Sequence, residues 1–353
     1  MNKYLLELHR EQLEKAFYRI STIRLYDKRL DAQRGAIGYL CNILQRVDFN
    51  IEDENELYSY RDAISLLQEW IGWIANQEHG TKPHAVISCI DIAAHEWLGD
   101  DSERFVFVAT DGQFGIYADD PNVELVLEWI YNKFKVFVPY RLVHIQIPFH
   151  LDDDYLFNVV LYHELGHFID RQLKVTAGMA DDIISDWTKN TKGYCIAENA
   201  KWENDLLRFN RHLREIFADL FAAQYVGECI VEYLKFHGDD TFNTDSDFHP
   251  SPSLRAALIK DFRIQTTNNY LINTINSTLN GICRKSLSVR PRQLGLIITN
   301  AQYTFAPAEN VYQVFPAAWE SYYHHRNNDE SISESYQKVC RAAEAVIISS
   351  ISK

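Results

Sequence analysis

Apolar residues recur along the first 78 positions at the three- and four-residue spacing of helices that bury one face. Leu5, Leu6, Leu13, Phe17 and Ile20 form one series, and Ile37, Leu40, Ile43 and Leu44 form another. A third apolar-rich run covers Ala63 to Ile74. It follows the acidic stretch DFNIEDENE (48–56), which reads as a loop or helix entry. Residues 1–80 therefore predict a helical N-terminal region, with His9 and His79 on its surface and no evident chemistry.

The pattern changes over residues 81–265. FVFVAT (105–110) and FGIYA (114–118) flank Asp111-Gly112, the residue pair of a tight β-hairpin. VELVLEWIYNKF (123–134) reads as a helix. RLVHIQIPF (141–149) alternates with period two and puts Val143, Ile145 and Ile147 on one face, which predicts a strand. We read it as a sheet edge to which an extended peptide adds, with His144 and His150 as structural or surface residues. Asp152, Asp153 and Asp154 suit a helix entry, because carboxylates favour the positive end of the helix dipole. The helix that follows is predicted over about 154–173, a polar helical stretch over 181–210, and a strongly apolar helix over 211–236. HGDDTFNTDSDFHPSPS (237–253) is an acidic, proline-punctuated loop. Residues 266–353 read as a helical C-terminal region with a link around 289–310. The sum is an α+β fold, with a mixed sheet and one central helix carrying large helical N- and C-terminal additions.

Composition narrows the partners. The 353 residues carry a net charge of -14, which repels phosphate backbones unless a basic patch intervenes. The densest basic run, RKSLSVRPR (284–292), is short and lacks interleaved aromatics, so it reads as a solvated turn and no nucleic-acid partner is expected. No window approaches the roughly 18 apolar residues of a membrane helix, so no membrane insertion is expected. The charged N-terminus does not read as a signal peptide. The six cysteines form no C-x-x-C pair. Reduced thiols in a cytoplasmic protein are the expectation.

The chemistry begins at VVLYHELGHFIDRQL (159–173). His163 and His167 lie four apart, one turn along the same helix face, so both imidazoles can reach one ion. That is the arrangement a tetrahedral zinc site needs, and one Zn²⁺ is the expected cofactor. Glu164 is rotated by about 100° from His163. It falls beside a zinc-bound water and not on the metal, where it can act as general base. Gly166 costs about 1 kcal/mol against alanine inside a helix, which points to a close approach there by the helix carrying a third ligand.

LREIFADLFAAQYVG (213–227) offers that ligand. Glu215 supplies a carboxylate oxygen, and Asp219, one turn on, can accept a hydrogen bond from the far nitrogen of a ligand histidine. Both acids sit in an otherwise apolar run, a costly place unless they are paired or metal-bound. The bland alternative is a solvated stripe pairing with Arg211 or Arg214. Glu198 and Glu203 are rival third ligands.

HELGH followed by EIFAD resembles the gluzincin branch of zinc metallopeptidases, in which the third ligand is a glutamate with an aspartate four residues later. DFHPSPSLRAALI (247–259) is similar to the HP-x-x-x-x-R segment of the CAAX-prenyl-protease/HtpX family. The resemblance covers about residues 140–260. It implies a zincin-like core, a soluble protein or peptide as substrate given the lack of membrane helices, and His249 and Arg255 near the metal. His249 would then stabilise the oxyanion, and Arg255 would anchor a carboxylate or the substrate backbone. From the residues alone, HPSPS is a rigid turn with Ser253 as N-cap, and Tyr225 and Tyr162 are other possible oxyanion donors. The rival function is a regulatory or interaction protein that keeps this fold, with latent or no peptidase activity and a protein partner on its helical flanks.

Overall fold

The computed structural model describes residues 3–77, 84–117, 122–151, 154–179, 204–237, 244–265, 269–290, 308–328 and 331–351. The chain is α+β, mostly helical with a small three-stranded mixed sheet. It divides into two compact units, Met1–Ile87 with Leu98–Asp152, and Ser88–Trp97 with Asp153–Lys353. That boundary lies inside the stretch 81–265 that the sequence pattern groups as one core.

The first unit opens on three helices, α1 (Lys3–Ile20), α2 (Lys28–Leu44) and α3 (Glu54–Ala75). Asp27 and Asp53 cap the second and third, each accepting a hydrogen bond from the backbone N–H two residues on. The predicted apolar series turn inward: Leu6, Leu13, Ile20, Ile37, Leu40, Leu44, Ile64 and Trp70 share one core. Leu5 is the exception and faces solvent. The helix α4 (His84–Leu98) follows and contributes to both units.

The sheet departs from the sequence expectation. β1 (Phe105–Asp111) and β2 (Gly115–Tyr117) are not paired as a hairpin, because β3 (Arg141–Ile147) lies between them in the order β1-β3-β2. β1 runs parallel to β3 from Phe105 opposite Arg141 to Asp111 opposite Ile147. β2 runs antiparallel to β3, with Ile116 opposite Ile145. The Asp-Gly bend closes on β3 instead, with Gly112 N–H donating to the Ile147 carbonyl at 3.2 Å. A parallel pair needs a crossover, and the helix α5 (Asn122–Phe134) lies in it. β3 is thus the central strand among the described residues, flanked by β1 along its length and by β2 at His144–Gln146, which argues against the reading of RLVHIQIPF as a docking edge. Gln77 blunts β1: its buried amide donates to the Ala109 carbonyl at 2.5 Å and accepts from Ala109 N–H at 3.2 Å. His144 stacks on Trp73 with ring centroids 4.7 Å apart and contacts Thr110 Oγ1, a structural role. His150 is exposed.

The second unit is built around two helices, α6 (Val160–Leu173) and α7 (Asn204–Val226), which pack along each other more extensively than any other pair of helices among the described residues. α6 starts later than the predicted 154. Asp154 accepts from the N–H groups of Leu156 and Phe157, and a 3-10 turn, Phe157–Val159, precedes the α-helix. Asp152 and Asp153 lie outside the described residues. The helices α8 (Cys229–His237), α9 (Pro252–Arg263), α10 (Tyr270–Cys283), α11 (Val314–Asn327) and α12 (Ile332–Ile351) complete the unit. α9 begins with Ser251 at the N-cap and Pro252 in the first turn, not with Ser253 as cap. Proline is pre-set for that first turn, where its missing N–H has no intrahelical partner to lose.

Candidate metal centre

Residues 160–170 of α6 are buried except Glu164 and His167, which are partly exposed. The apolar Leu161, Leu165, Phe168 and Ile169 therefore fix the helix rotation, and the two histidines and Glu164 fall where that rotation leaves them. Ile216 to Ala223 of α7 are all buried, including Asp219. The two helices approach so closely that a Cβ on Gly166 would stand 2.7 Å from Ala218 Cα. This close approach brings Glu215 opposite His163 and His167.

The ligand atoms of His163, His167 and Glu215 all lie within 4.8 Å of one another. His163 Nε2 and His167 Nε2 are 3.1 Å apart. Glu215 turns one oxygen to each, with Oε2 3.3 Å from His163 Nε2 and Oε1 3.2 Å from His167 Nε2. Ligand atoms placed tetrahedrally at about 2.0–2.1 Å from a zinc ion are about 3.3–3.4 Å apart. The imidazole pair at 3.1 Å comes close to that spacing, and each imidazole meets a different Glu215 oxygen at 3.2–3.3 Å.

Behind His163, Nδ1 lies 2.9 Å from Asp219 Oδ1. Asp219 in turn accepts two hydrogen bonds from Arg255, at 2.6 Å from Nε and 2.7 Å from Nη2. Arg255 Nη2 is also 3.5 Å from Glu215 Oε2. Glu215 and Asp219 thus pair with Arg255 from α9, and not with Arg211 or Arg214 of their own helix.

Hydrogen-bond chemistry tests whether the site fits a cation. His163 Nδ1 is close to Asp219 but makes no hydrogen bond of good geometry there; with its proton on Nδ1, a neutral His163 presents only a lone pair at Nε2. That lone pair faces Glu215 Oε2, a buried carboxylate oxygen with no hydrogen bond. Two acceptors face each other, an arrangement that a positive charge between them relieves. The electrostatics carry the same demand. Burial alone would lower the His163 pKa, but the Asp219 and Glu215 carboxylates outweigh it and push it up to about 10. Burial alone would raise Glu215, yet His163 and His167 hold it well below the usual carboxylate range. Burial likewise opposes ionisation of Asp219, and Arg255 overcomes it. The donor set of two imidazoles and one carboxylate suits Zn²⁺.

No protein-family model, curated protein or solved structure matches the chain.

The remaining sequence candidates divide. His249 reaches the site: its Nε2 is 3.7 Å from Glu215 Oε2, and its side chain is 55 % exposed, so it borders both the ligand cluster and solvent. Arg255 is buried and its guanidinium is engaged by Asp219. Tyr225 points elsewhere; its hydroxyl accepts from Trp97 Nε1 at 2.9 Å and donates to Glu96 Oε2 at 3.0 Å. Tyr162 is fully buried and stacked on Tyr225 at 5.0 Å. Glu198 and Glu203 lie outside the described residues. Tyr233 of α8 was not legible as a site residue. Burial, and then the negative charge of Glu164, push its hydroxyl up to about 12, while Arg255 opposes them. Nothing in CIVEYLKFH marks it, because its place near Glu164 depends on how α8 packs.

Proposed function

We propose that this chain is a zinc-dependent metallopeptidase with a zincin-like core of the gluzincin type, acting on a soluble protein or peptide. The observation that carries the proposal is the cluster of His163, His167 and Glu215, whose ligand atoms all lie within 4.8 Å of one another, with Asp219 behind His163. His163 Nε2, His167 Nε2 and a Glu215 oxygen would hold the ion. Bound zinc supplies a Lewis acid that brings the pKa of water towards about 7 and polarises a carbonyl.

The chain's own residues supply the rest. Asp219 holds the His163 ring in the tautomer that presents Nε2. Arg255 keeps Asp219 ionised in an apolar helix interface and fixes its two oxygens. Glu164, next to the first ligand and partly exposed, takes a proton from the attacking water and passes it to the leaving amine. His249, facing solvent beside Glu215, donates a hydrogen bond to the oxyanion that develops on the substrate carbonyl. The five described cysteines are free thiols, four of them buried, which suits the cytoplasmic setting. Among the described residues no helix is long and apolar enough to cross a membrane.

Hydrolysis of a peptide mixture by wild type and Glu164→Gln tests this reading. The expected result is cleavage by wild type and a loss of at least 10²-fold in the variant with zinc content unchanged. Zinc-loaded wild type that cleaves nothing, alone or with cell extract added, would favour the regulatory protein instead.

A further inference from the structure

Phe248 is 59 % exposed, although it directly precedes a residue of the candidate site. Its turn is tightly built. Ser246 Oγ accepts from the N–H groups of Phe248 at 3.2 Å and His249 at 2.8 Å. Ser246 N–H donates to the His249 carbonyl at 2.8 Å, and Ser251 N–H donates to Asp245 Oδ1 at 2.7 Å. His212 Nε2 joins the Ser246 carbonyl at 2.8 Å and ties the turn to α7. A large aromatic is thus held out in solvent by a fixed backbone, where burial would have been favourable.

Arg211 lies over that ring, its guanidinium carbon 4.6 Å from the centroid. It is exposed, and among the described residues no carboxylate pairs with it. Leu207, Arg211 and Glu215 fall four residues apart on one face of α7, so Arg211 sits one helical turn from Glu215. Leu207 is exposed as well. Stacking on an aromatic ring leaves the in-plane N–H groups of a guanidinium free, and their fork matches a carboxylate.

We infer that Arg211, stacked on Phe248, is a specificity-determining subsite that binds a carboxylate of the peptide substrate beside the metal centre. The carboxylate is either an acidic side chain or the free C-terminus. In a chain of net charge -14, a forked cation beside the site favours acidic groups that the chain as a whole repels. The inference rests on the peptidase reading for its meaning, but its test does not require turnover.

The experiment measures fluorescence anisotropy on zinc-loaded Glu164→Gln protein, which binds without cleaving. The probes are labelled nonapeptides on a neutral Ala/Ser scaffold, with one Glu or Gln walked along the positions and each made with a C-terminal acid and a C-terminal amide. The expected result is binding at least about tenfold tighter for one Glu position, or for the acid over the amide, and this outcome names the source of the carboxylate. Adding Arg211→Glu brings that ratio to about one with zinc content unchanged, whereas Arg214→Glu leaves it as it was. Equal binding of acidic and neutral peptides, no measurable binding, or an equal loss in the Arg214→Glu protein overturns the inference. A preference that holds in a protein whose wild type hydrolyses nothing keeps the subsite and removes the peptidase.

Discussion

A Cβ placed on Gly166 would stand 2.7 Å from Ala218 Cα, a separation that real side chains essentially never adopt. The clash is with backbone, and the next atoms, Phe221 Cβ at 3.1 Å and Ala218 Cβ at 3.2 Å, leave no room to turn aside. The absent side chain at 166 therefore sets the separation of α6 and α7, and with it the reach of Glu215 to the two histidines.

Gly166→Ala should push the helices apart. The overpacking cost of about 1–3 kcal/mol exceeds the gain of about 1 kcal/mol in helix propensity. We expect a lower midpoint in urea and weaker zinc retention against a chelating dye. Ala218→Gly should not rescue it, because the closest atom is Cα.

Asp219→Asn keeps the shape but removes the charge between His163 and Arg255. Zinc affinity should fall about 10- to 100-fold. Arg255→Met strands the Asp219 carboxylate in the interior and should destabilise the fold by about 3–5 kcal/mol. Chelator competition reads the first change and thermal unfolding the second.

The raised His163 pKa gives a pH signature in the chelated protein. Its value of about 10 in the fold exceeds the ordinary value of about 6.5 in the unfolded chain. The stabilisation is complete below about 6.5 and is lost as pH rises through 10, at up to about 1.4 kcal/mol per unit. Calorimetry should show the metal-free melting temperature falling from pH 6.5 to 10, with the zinc-loaded protein lacking that decline. Zinc uptake at pH 7.5 should release about one proton.

His249→Ala should lower kcat/KM about 10²- to 10³-fold with zinc content intact. A loss of zinc on this change would make His249 a ligand, as its 3.7 Å distance to Glu215 permits only after a shift.

Two halves of the candidate site are legible because each is a local pair on one helix. The i, i+4 spacing of His163 and His167, and of Glu215 and Asp219, follows from helix geometry alone. The glycine at 166 also announced the neighbouring helix in advance, since nothing within α6 explains it. The sheet was not legible. Asp111-Gly112 carries the local chemistry of a hairpin, yet β3, contributed from some 30 residues on, takes the place between β1 and β2. Strand order is decided by such non-local pairing, which no turn dipeptide encodes. Arg255 was expected near the metal, but its engagement by Asp219 depends on how α9 packs on α7. The platform of Arg211 and Phe248 is not legible for the same reason, being a contact between a helix and a turn 37 residues apart.

Everything proposed for this site depends on His163, His167 and Glu215 holding one zinc ion. Elemental analysis of protein purified without chelators, beside its Glu215→Ala variant, decides it. One zinc per wild-type chain and far less in the variant are expected. A wild-type chain without zinc that takes up none on titration, or a variant that retains it in full, would rule out this metal centre.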